Sequence, residues 1–369
     1  MTKPKYVSIK NLVERDDLNY ILLLGQRSNG KSFAVKQHCL THFWKTGQRF
    51  VYVRRWQIES RATDVEAYFR DAPVEAITGG KYSCIVTYRG GIYFAAINED
   101  GKTERGKQCG YIAYLSNEAH FKSQNFNDVS EVIFEEITAV AGGSGGGYLV
   151  REPERLESLI STIARKRKIR VWMIGNTISR VCPYFTEWIA GNGGSSRIAK
   201  QKQGTIDIYE HVTDQVNEDG SPVIIKIAVY LCEETANTSK MFFGSGAGMI
   251  TKGTWQTRAY PHLPYTYRET KKIYELLLQH LDFTFKIELL QHKENGQLMV
   301  FIHPHNEKNY SGRIISGSPD PSVLVSKKLD PIRKGDKLVK WCFNSNKVYF
   351  SDNLTGADWE AVVDNMHGI

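Results

Sequence analysis

The segment Gly25-Gln26-Arg27-Ser28-Asn29-Gly30-Lys31-Ser32 fits G-x-x-x-x-G-K-[ST] and constrains the fold more than any other stretch of the chain. It follows the apolar run Tyr20-Ile21-Leu22-Leu23-Leu24 and opens onto Phe33-Ala34-Val35-Lys36-Gln37-His38, which reads as a helix. Strand, glycine loop and helix in that order make a phosphate cradle. The loop curls its N–H groups inward, and the helix adds the positive end of its dipole. Lys31 is placed to reach β- and γ-phosphates and Ser32 to ligate Mg²⁺. All eight positions, with Gln26, Arg27, Ser28 and Asn29 between the two glycines, are candidate nucleotide-binding residues.

A cradle only binds; hydrolysis also needs a metal anchor and an oriented water. Glu131-Val132-Ile133-Phe134 reads as a short buried strand ending in Glu135-Glu136. A metal-anchoring acid and a water-polarising acid belong at such a strand end. Glu135 is therefore the candidate metal ligand and Glu136 the candidate catalytic acid, although Asp is more usual at the first position. Arg165-Lys166-Arg167-Lys168-Ile169-Arg170 ends a helix and enters a strand. Its cations either complement a helix dipole or supply an arginine finger. Asn176, after Val171-Trp172-Met173-Ile174-Gly175, is a candidate γ-phosphate sensor or a plain strand-end cap. Arg54 and Arg55 end the strand Arg49–Val53 and are candidates for phosphate contact, on nucleotide or on nucleic acid.

The 369 residues have room for two or three domains. No run approaches the ~18 apolar residues of a membrane span, and residues 1–5 lead into no signal-peptide core. Six scattered cysteines with no C-x-x-C pair predict reduced thiols in a cytosolic setting, not a disulfide frame or a zinc site. His303-Pro304-His305 has no further ligands beside it and reads as a solvated loop. The net charge of +8 favours a polyanionic partner.

Strands alternating with helices over residues 18–138, and again to the strand at Arg170–Gly175, predict a mostly parallel α/β sheet. Cys84–Tyr88 and Ile92–Ile97 flank Arg89-Gly90-Gly91 as a hairpin, Tyr111–Leu115 is a further strand, and Glu154–Arg167 has helical spacing. Gly142–Gly147 is a glycine-rich loop, either a passive linker or a functional loop beside the acidic strand end. The pattern changes around Gly191–Ser196; strand-like runs fill 205–232, and a Gly-rich section, Phe243–Gly253, follows. Beyond Pro261 and Pro264 a helix is expected over Arg268–Leu281. Next comes a hairpin joining Phe283–Leu290 to Gln297–Ile302 through Asn295-Gly296, then a final helix, Gly356–Met366. The expected organisation is a P-loop domain over 1–205, a linker region over 206–265 and a small α+β domain over 266–369. The C-terminal strands offer only Glu288, too few carboxylates for a two-metal nuclease. Lys327, Lys328, Arg333, Lys334, Lys337 and Lys340, with Trp341 beside them, read either as a nucleic-acid phosphate surface or as a solvated basic face.

Strand-GQRSNGKS-helix, GQRFVYVRRWQIE, VSEVIFEE, then IARKRKIRVWMIGN followed by CPYF is an order that resembles the genome-packaging ATPases of small tailed phages, the phi29-like DNA-packaging motors. The resemblance covers about residues 18–190 and continues more weakly into the C-terminal hairpin and final helix. It implies a P-loop ATPase of the additional-strand, catalytic-glutamate type. Such proteins form a homomeric ring, five-fold in the family, on the portal of an empty procapsid in the host cell cytoplasm, and spend ATP to push double-stranded DNA inside. It further implies Gly25 through Ser32 as the phosphate loop, Glu135 as the metal acid and Glu136 as the catalytic glutamate. Arg165 matches a trans-acting arginine finger, with Arg167 as the alternative, because a one-residue gap falls nearby. The C-terminal domain is implied to be similar to the ribonuclease-H-like nuclease of large terminases, without its catalytic acids, and to dock on a structural RNA or the portal. On the residues alone, a helicase or remodelling ATPase and a non-hydrolytic nucleotide-dependent adaptor stay open.

Overall fold

The apolar runs around the glycine loop are buried on both faces, as central parallel strands must be. In β1 (Tyr20–Gly25), Leu22 and Leu24 enter one hydrophobic cluster and Ile21 and Leu23 the other. In β2 (Arg49–Arg54), Val51 and Val53 face the first cluster, Phe50 and Tyr52 the second. The computed structural model describes residues 6–139, 147–189, 197–198, 200–236, 255, 259–280, 282–305, 312–316 and 329–367. Val140–Gly146 and most of the glycine-rich sections noted above lie outside these residues.

The large sheet has nine strands. β3 (Cys84–Tyr88), β4 (Gly91–Ile97), β5 (Thr103–Tyr114), β6 (Val129–Glu135), β7 (Arg170–Asn176), β8 (Thr205–Val216) and β9 (Pro222–Leu231) join β1 and β2 in the order β3-β4-β5-β2-β6-β7-β1-β9-β8. The six strands from β5 to β9 in that order run parallel, and an antiparallel hairpin closes each edge. The β3–β4 turn places Arg89 at φ 47° and Gly90 at φ 77°, the double left-handed conformation of a two-residue hairpin turn. The helix Lys31–Thr46 covers one face through Val35, Cys39, Leu40 and Phe43. The helix Glu152–Ala164 covers the other through Leu156, Leu159, Ile160 and Ile163.

Two expectations are corrected here. Residues 206–231 do not link domains. β9 lies beside β1, from Tyr20↔Ile227 to Leu24↔Leu231, so the first unit extends past residue 205. The run Val223–Tyr230 reads as a strand in sequence; which sheet it joins depends on a partner 200 residues away. The stretch Arg268–Leu281 is not a helix but holds a strand, β10 (Thr270–His280). Tyr274, Leu276 and Leu278 alternate into the core, and strands on both sides satisfy the backbone. A triple-leucine run carries no periodicity that separates helix from strand.

Among its described residues the C-terminal unit is a five-stranded mixed sheet with two helices. β10, β11 (Phe283–His292) and β12 (Leu298–Pro304) form an antiparallel meander whose Asn295-Gly296 turn has Gly296 at φ 69°. β13 (Ile314–Ser316) adds in parallel to β10, and β14 (Val348–Phe350) to β12. Val339 and Cys342 from the helix Lys334–Asn344, and Val362 from the helix Asn353–His367, close the core. Val181 of the first unit is buried in that same core. No described helix is long and apolar enough to cross a membrane.

Candidate nucleotide-binding and active site

The parallel register sets Gly25 beside Asn176 and Glu135 beside Ile174, so β1, β6 and β7 end together. Ligands of open α/β sheets bind outside such carboxyl ends. A cavity of about 1150 Å³ opens there, lined by Ser28, Lys31, Ser32, Glu135, Glu136 and Asn176 among others. The loop turns through Ser28 at φ 59° and Gly30 at φ 90°, a value that a side chain at Gly30 would strain. Gly25 is packed: a Cβ there would lie 3.1 Å from the Cys232 Cβ.

Lys31 is buried, and its Nζ donates to the Gln26 carbonyl (2.6 Å), Asn29 Oδ1 (3.1 Å) and Asn176 Oδ1 (3.4 Å). Burial pulls its pKa down to about 8. Glu135 is buried at the end of β6; Tyr68 Oη donates to its Oε1 at 2.6 Å and the Ser32 hydroxyl also hydrogen-bonds to it. Burial raises the pKa of its carboxyl. Glu136 has left the strand, at φ 60°, with an exposed side chain whose Oε2 accepts from Arg54 Nη2 at 2.9 Å. The Ile137 N–H reaches the Ile174 carbonyl at 3.0 Å and Thr138 Oγ1 the Asn176 carbonyl at 2.7 Å, fastening the acidic strand end to β7.

These groups fit a phosphorylated ligand and a divalent cation. Asn29 Nδ2 is a buried donor with no hydrogen-bond partner among the described residues. Glu135 and Ser32 offer oxygen donors in contact with each other, and no described cation lies within ion-pair distance of Glu135.

The two finger candidates separate cleanly. Arg167 donates to the carbonyls of Val129 (2.6 Å), Phe126 (2.6 Å) and Ile163 (2.8 Å), so its guanidinium is committed to the fold. Arg165 ends the helix Glu152–Ala164 at φ 51°, is exposed, and makes no side-chain hydrogen bond or ion pair with described residues.

Both strand-end arginines, candidates for phosphate contact on nucleotide or nucleic acid, are paired with carboxylates of the chain itself. Arg54 is shared between Glu136 and Glu59. Arg55, 5% exposed, makes a bidentate pair with the fully buried Glu152, at 2.7 and 3.0 Å, and also donates to the Ile137 carbonyl. A buried arginine and a part-buried one, each paired with carboxylates, look in sequence the same as two free ones. Arg333, Lys334 and Lys337 are exposed at and along the outer side of the helix Lys334–Asn344, opposite the buried Asp336, Val339 and Cys342. Lys327 and Lys328 lie outside the described residues. Sequence reading missed Tyr68 and Thr138. Tyr68 arrives on the helix Ala62–Phe69 and stacks on Tyr52 with ring centroids 4.6 Å apart, a placement that only the fold decides.

Residues 1–218 match the family described as Podovirus DNA encapsidation protein (Gp16). The chain is 30% identical over 174 residues to the DNA packaging protein of Bacillus phage B103, a match covering 46% of each. It is 30% identical over 169 residues to the DNA packaging protein of Bacillus phage phi29, covering 46% of this chain and 45% of that one. These matches therefore span about half the length of the curated relatives. The structure superposes on a chain of the bacteriophage Phi-29 viral genome packaging motor assembly with TM-score 0.55 and 18% identity, covering 98% of this chain and 99% of that one. It likewise shares the fold of the Phi-28 gp11 DNA packaging motor, with TM-score 0.50, 18% identity and 98% of both chains covered.

Proposed function

The chain belongs to the Podovirus DNA encapsidation protein family, and from that premise we propose that it is a subunit of an ATP-hydrolysing ring motor that drives double-stranded viral DNA through a procapsid portal. The observation that carries this reading is the convergence of Lys31, Glu135, Glu136 and Asn176 at the carboxyl ends of adjacent parallel strands. ATP lies along Gly25–Ser32, and the Lys31 amine exchanges its carbonyl and amide partners for phosphate oxygens. Ser32 and Glu135 would hold Mg²⁺, which would supply charge neutralisation to the bound phosphates. Glu136 polarises the attacking water, and Arg54 fixes where that carboxylate rests. Asn176 senses the γ-phosphate. The residues just after it run from the cavity at Ile178 to the C-terminal unit at Arg180 and Val181.

Arg165 of one subunit completes the site of its neighbour in a homomeric ring, five-fold as in the phi29-like motors; its exposed, unengaged guanidinium supports this role and the engagement of Arg167 argues against the alternative. DNA contacts are mainly to phosphates, since a motor must move any sequence, and activity falls with salt. The exposed Arg333, Lys334 and Lys337 support a docking face for a structural RNA or the portal, in the host cell cytoplasm. The C-terminal unit is not a nuclease in this reading, because its buried carboxylates are already compensated. Asp336 pairs with Arg313 at 2.8 Å and Asp358 with Arg180. Glu288 lies among Lys272, Lys286, His303 and Tyr267, which hold its carboxyl down at about 2.

The test is ATP turnover against protein concentration, with and without double-stranded DNA, for wild type and Glu136→Gln. Cooperative, DNA-stimulated turnover that the variant loses is the expected result. Turnover indifferent to concentration and DNA refutes the shared-site motor.

A further inference from the structure

The buried acid at the end of β6 is held by two elements. A glutamate has one more rotatable bond than an aspartate, so its carboxylate has more places to rest, and a metal anchor must rest in one. Ser32, in the first turn of the helix Lys31–Thr46, hydrogen-bonds to Glu135. Tyr68 Oη donates to Glu135 Oε1 at 2.6 Å from a different element, the helix Ala62–Phe69.

Tyr68 is itself fixed on several sides. Its ring stacks on Tyr52 of β2 at 30° and meets Phe69 edge-on with centroids 5.0 Å apart. The Lys36 ammonium lies 4.4 Å from the same ring centroid. Lys36 is 4% exposed; its Nζ donates to the Tyr68 carbonyl at 2.6 Å and pairs with Asp71. Lys36 stands one turn beyond Ser32, so one face of the phosphate-loop helix touches Glu135 directly and also grips the residue that holds it. At the outer end of the platform, Glu66 accepts from the Thr87 N–H at 2.7 Å and from its hydroxyl at 2.9 Å, which ties the helix Ala62–Phe69 to β3. The ring contacts need no hydroxyl, and the hydroxyl's hydrogen-bond partner is Glu135. Tyr68 does not line the nucleotide cavity, so any effect on a bound nucleotide passes through Glu135.

We propose that Tyr68, gripped by Lys36, is a positioning residue that fixes the Glu135 carboxylate for the divalent cation of a bound nucleotide. This role rests on the reading of Glu135 as the metal anchor and is independent of ring assembly and of DNA.

The experiment is equilibrium binding of a fluorescent, non-hydrolysable ATP analogue to the full chain, titrated with Mg²⁺ and repeated in chelator, beside urea unfolding. Tyr68→Phe keeps the ring contacts. It should raise the Mg²⁺ concentration for half-maximal binding by about tenfold or more, as losing a partner that orients a metal ligand does, while affinity in chelator stays within about twofold. Lys36→Met with Asp71→Asn keeps the phenol and the local charge balance but removes the grip. It should act in the same direction by a smaller factor, and it carries the test should Tyr68→Phe fail to fold. Glu135→Gln should abolish the Mg²⁺ dependence, and Tyr68→Phe added to it should change nothing further. An unchanged Mg²⁺ requirement in both Tyr68 and Lys36 variants, or an equal loss of affinity with and without Mg²⁺, overturns the positioning role while Glu135→Gln still reports the anchor. Mg²⁺ dependence that survives Glu135→Gln overturns the anchor assignment itself, and the proposal with it.

Discussion

Removing the Arg180 side chain should destabilise the junction between the two units in a pH-dependent way. Arg180 follows the end of β7 by four residues and makes a two-pronged ion pair with Asp358 of the last helix, both side chains at most 12% exposed. Burial, reinforced by nearby Asp352 and Asp282, raises the Asp358 pKa from 3.8 to about 6 even against the pull of Arg180. At about 1.4 kcal/mol per pKa unit, that is about 3 kcal/mol of stability. Because the folded value lies above the unfolded one, this stability is full below about pH 4 and is lost as pH rises through about 6. Arg180→Ala then leaves an unpaired buried carboxylate at pH 8, costing about 3–5 kcal/mol. At pH 5 the folded acid is mostly protonated, and the cost should drop to about 1–2 kcal/mol, that of a lost hydrogen bond. Urea unfolding followed by tryptophan fluorescence is the assay, with Trp359 reporting from the C-terminal core. Arg180→Ala with Asp358→Asn should recover most of the loss at pH 8. An equal loss at pH 5 and pH 8, or no rescue by the double substitution, would refute the reasoning.

Other outcomes follow from the same structure. Arg165→Ala should leave the unfolding midpoint unchanged but cut ring turnover by about 10³-fold or more. Arg167→Ala should lower the midpoint in the isolated chain, because three carbonyls lose their donor; urea titration beside turnover separates the two. Arg55→Met strands the Glu152 carboxylate and should cost about 3–5 kcal/mol, whereas Arg55→Met with Glu152→Leu should cost much less, measured by the same titration. Arg54→Ala frees Glu136 from its pairing, and nucleotide turnover in the absence of DNA should change while nucleotide affinity, read by equilibrium binding, stays within about threefold.

How much of this was legible beforehand varies from element to element. The Asn295-Gly296 turn was readable because few residues tolerate the left-handed conformation that Gly296 adopts. The strand before the glycine loop was readable because an unbroken apolar run must be covered on both sides. β10 was not, since its leucines carry no period and their pairing with β11 and β13 is a tertiary fact. Arg54 and Arg55 illustrate the same limit in the site, for a guanidinium is equally at home on phosphate or on a buried carboxylate until its neighbours are known.

The sequence by itself determined the strand, glycine loop and helix order, the acidic strand end and the parallel α/β core, because each follows from local chemistry and spacing within a few residues. Only the tertiary structure decided that β9 flanks β1, that Arg167 and not Arg165 is engaged among the described residues, that Tyr68 meets Glu135, and that Arg180 joins the end of β7 to the last helix. Each of these depends on which groups, distant along the chain, share a buried volume in which charges and hydrogen-bond donors must find partners.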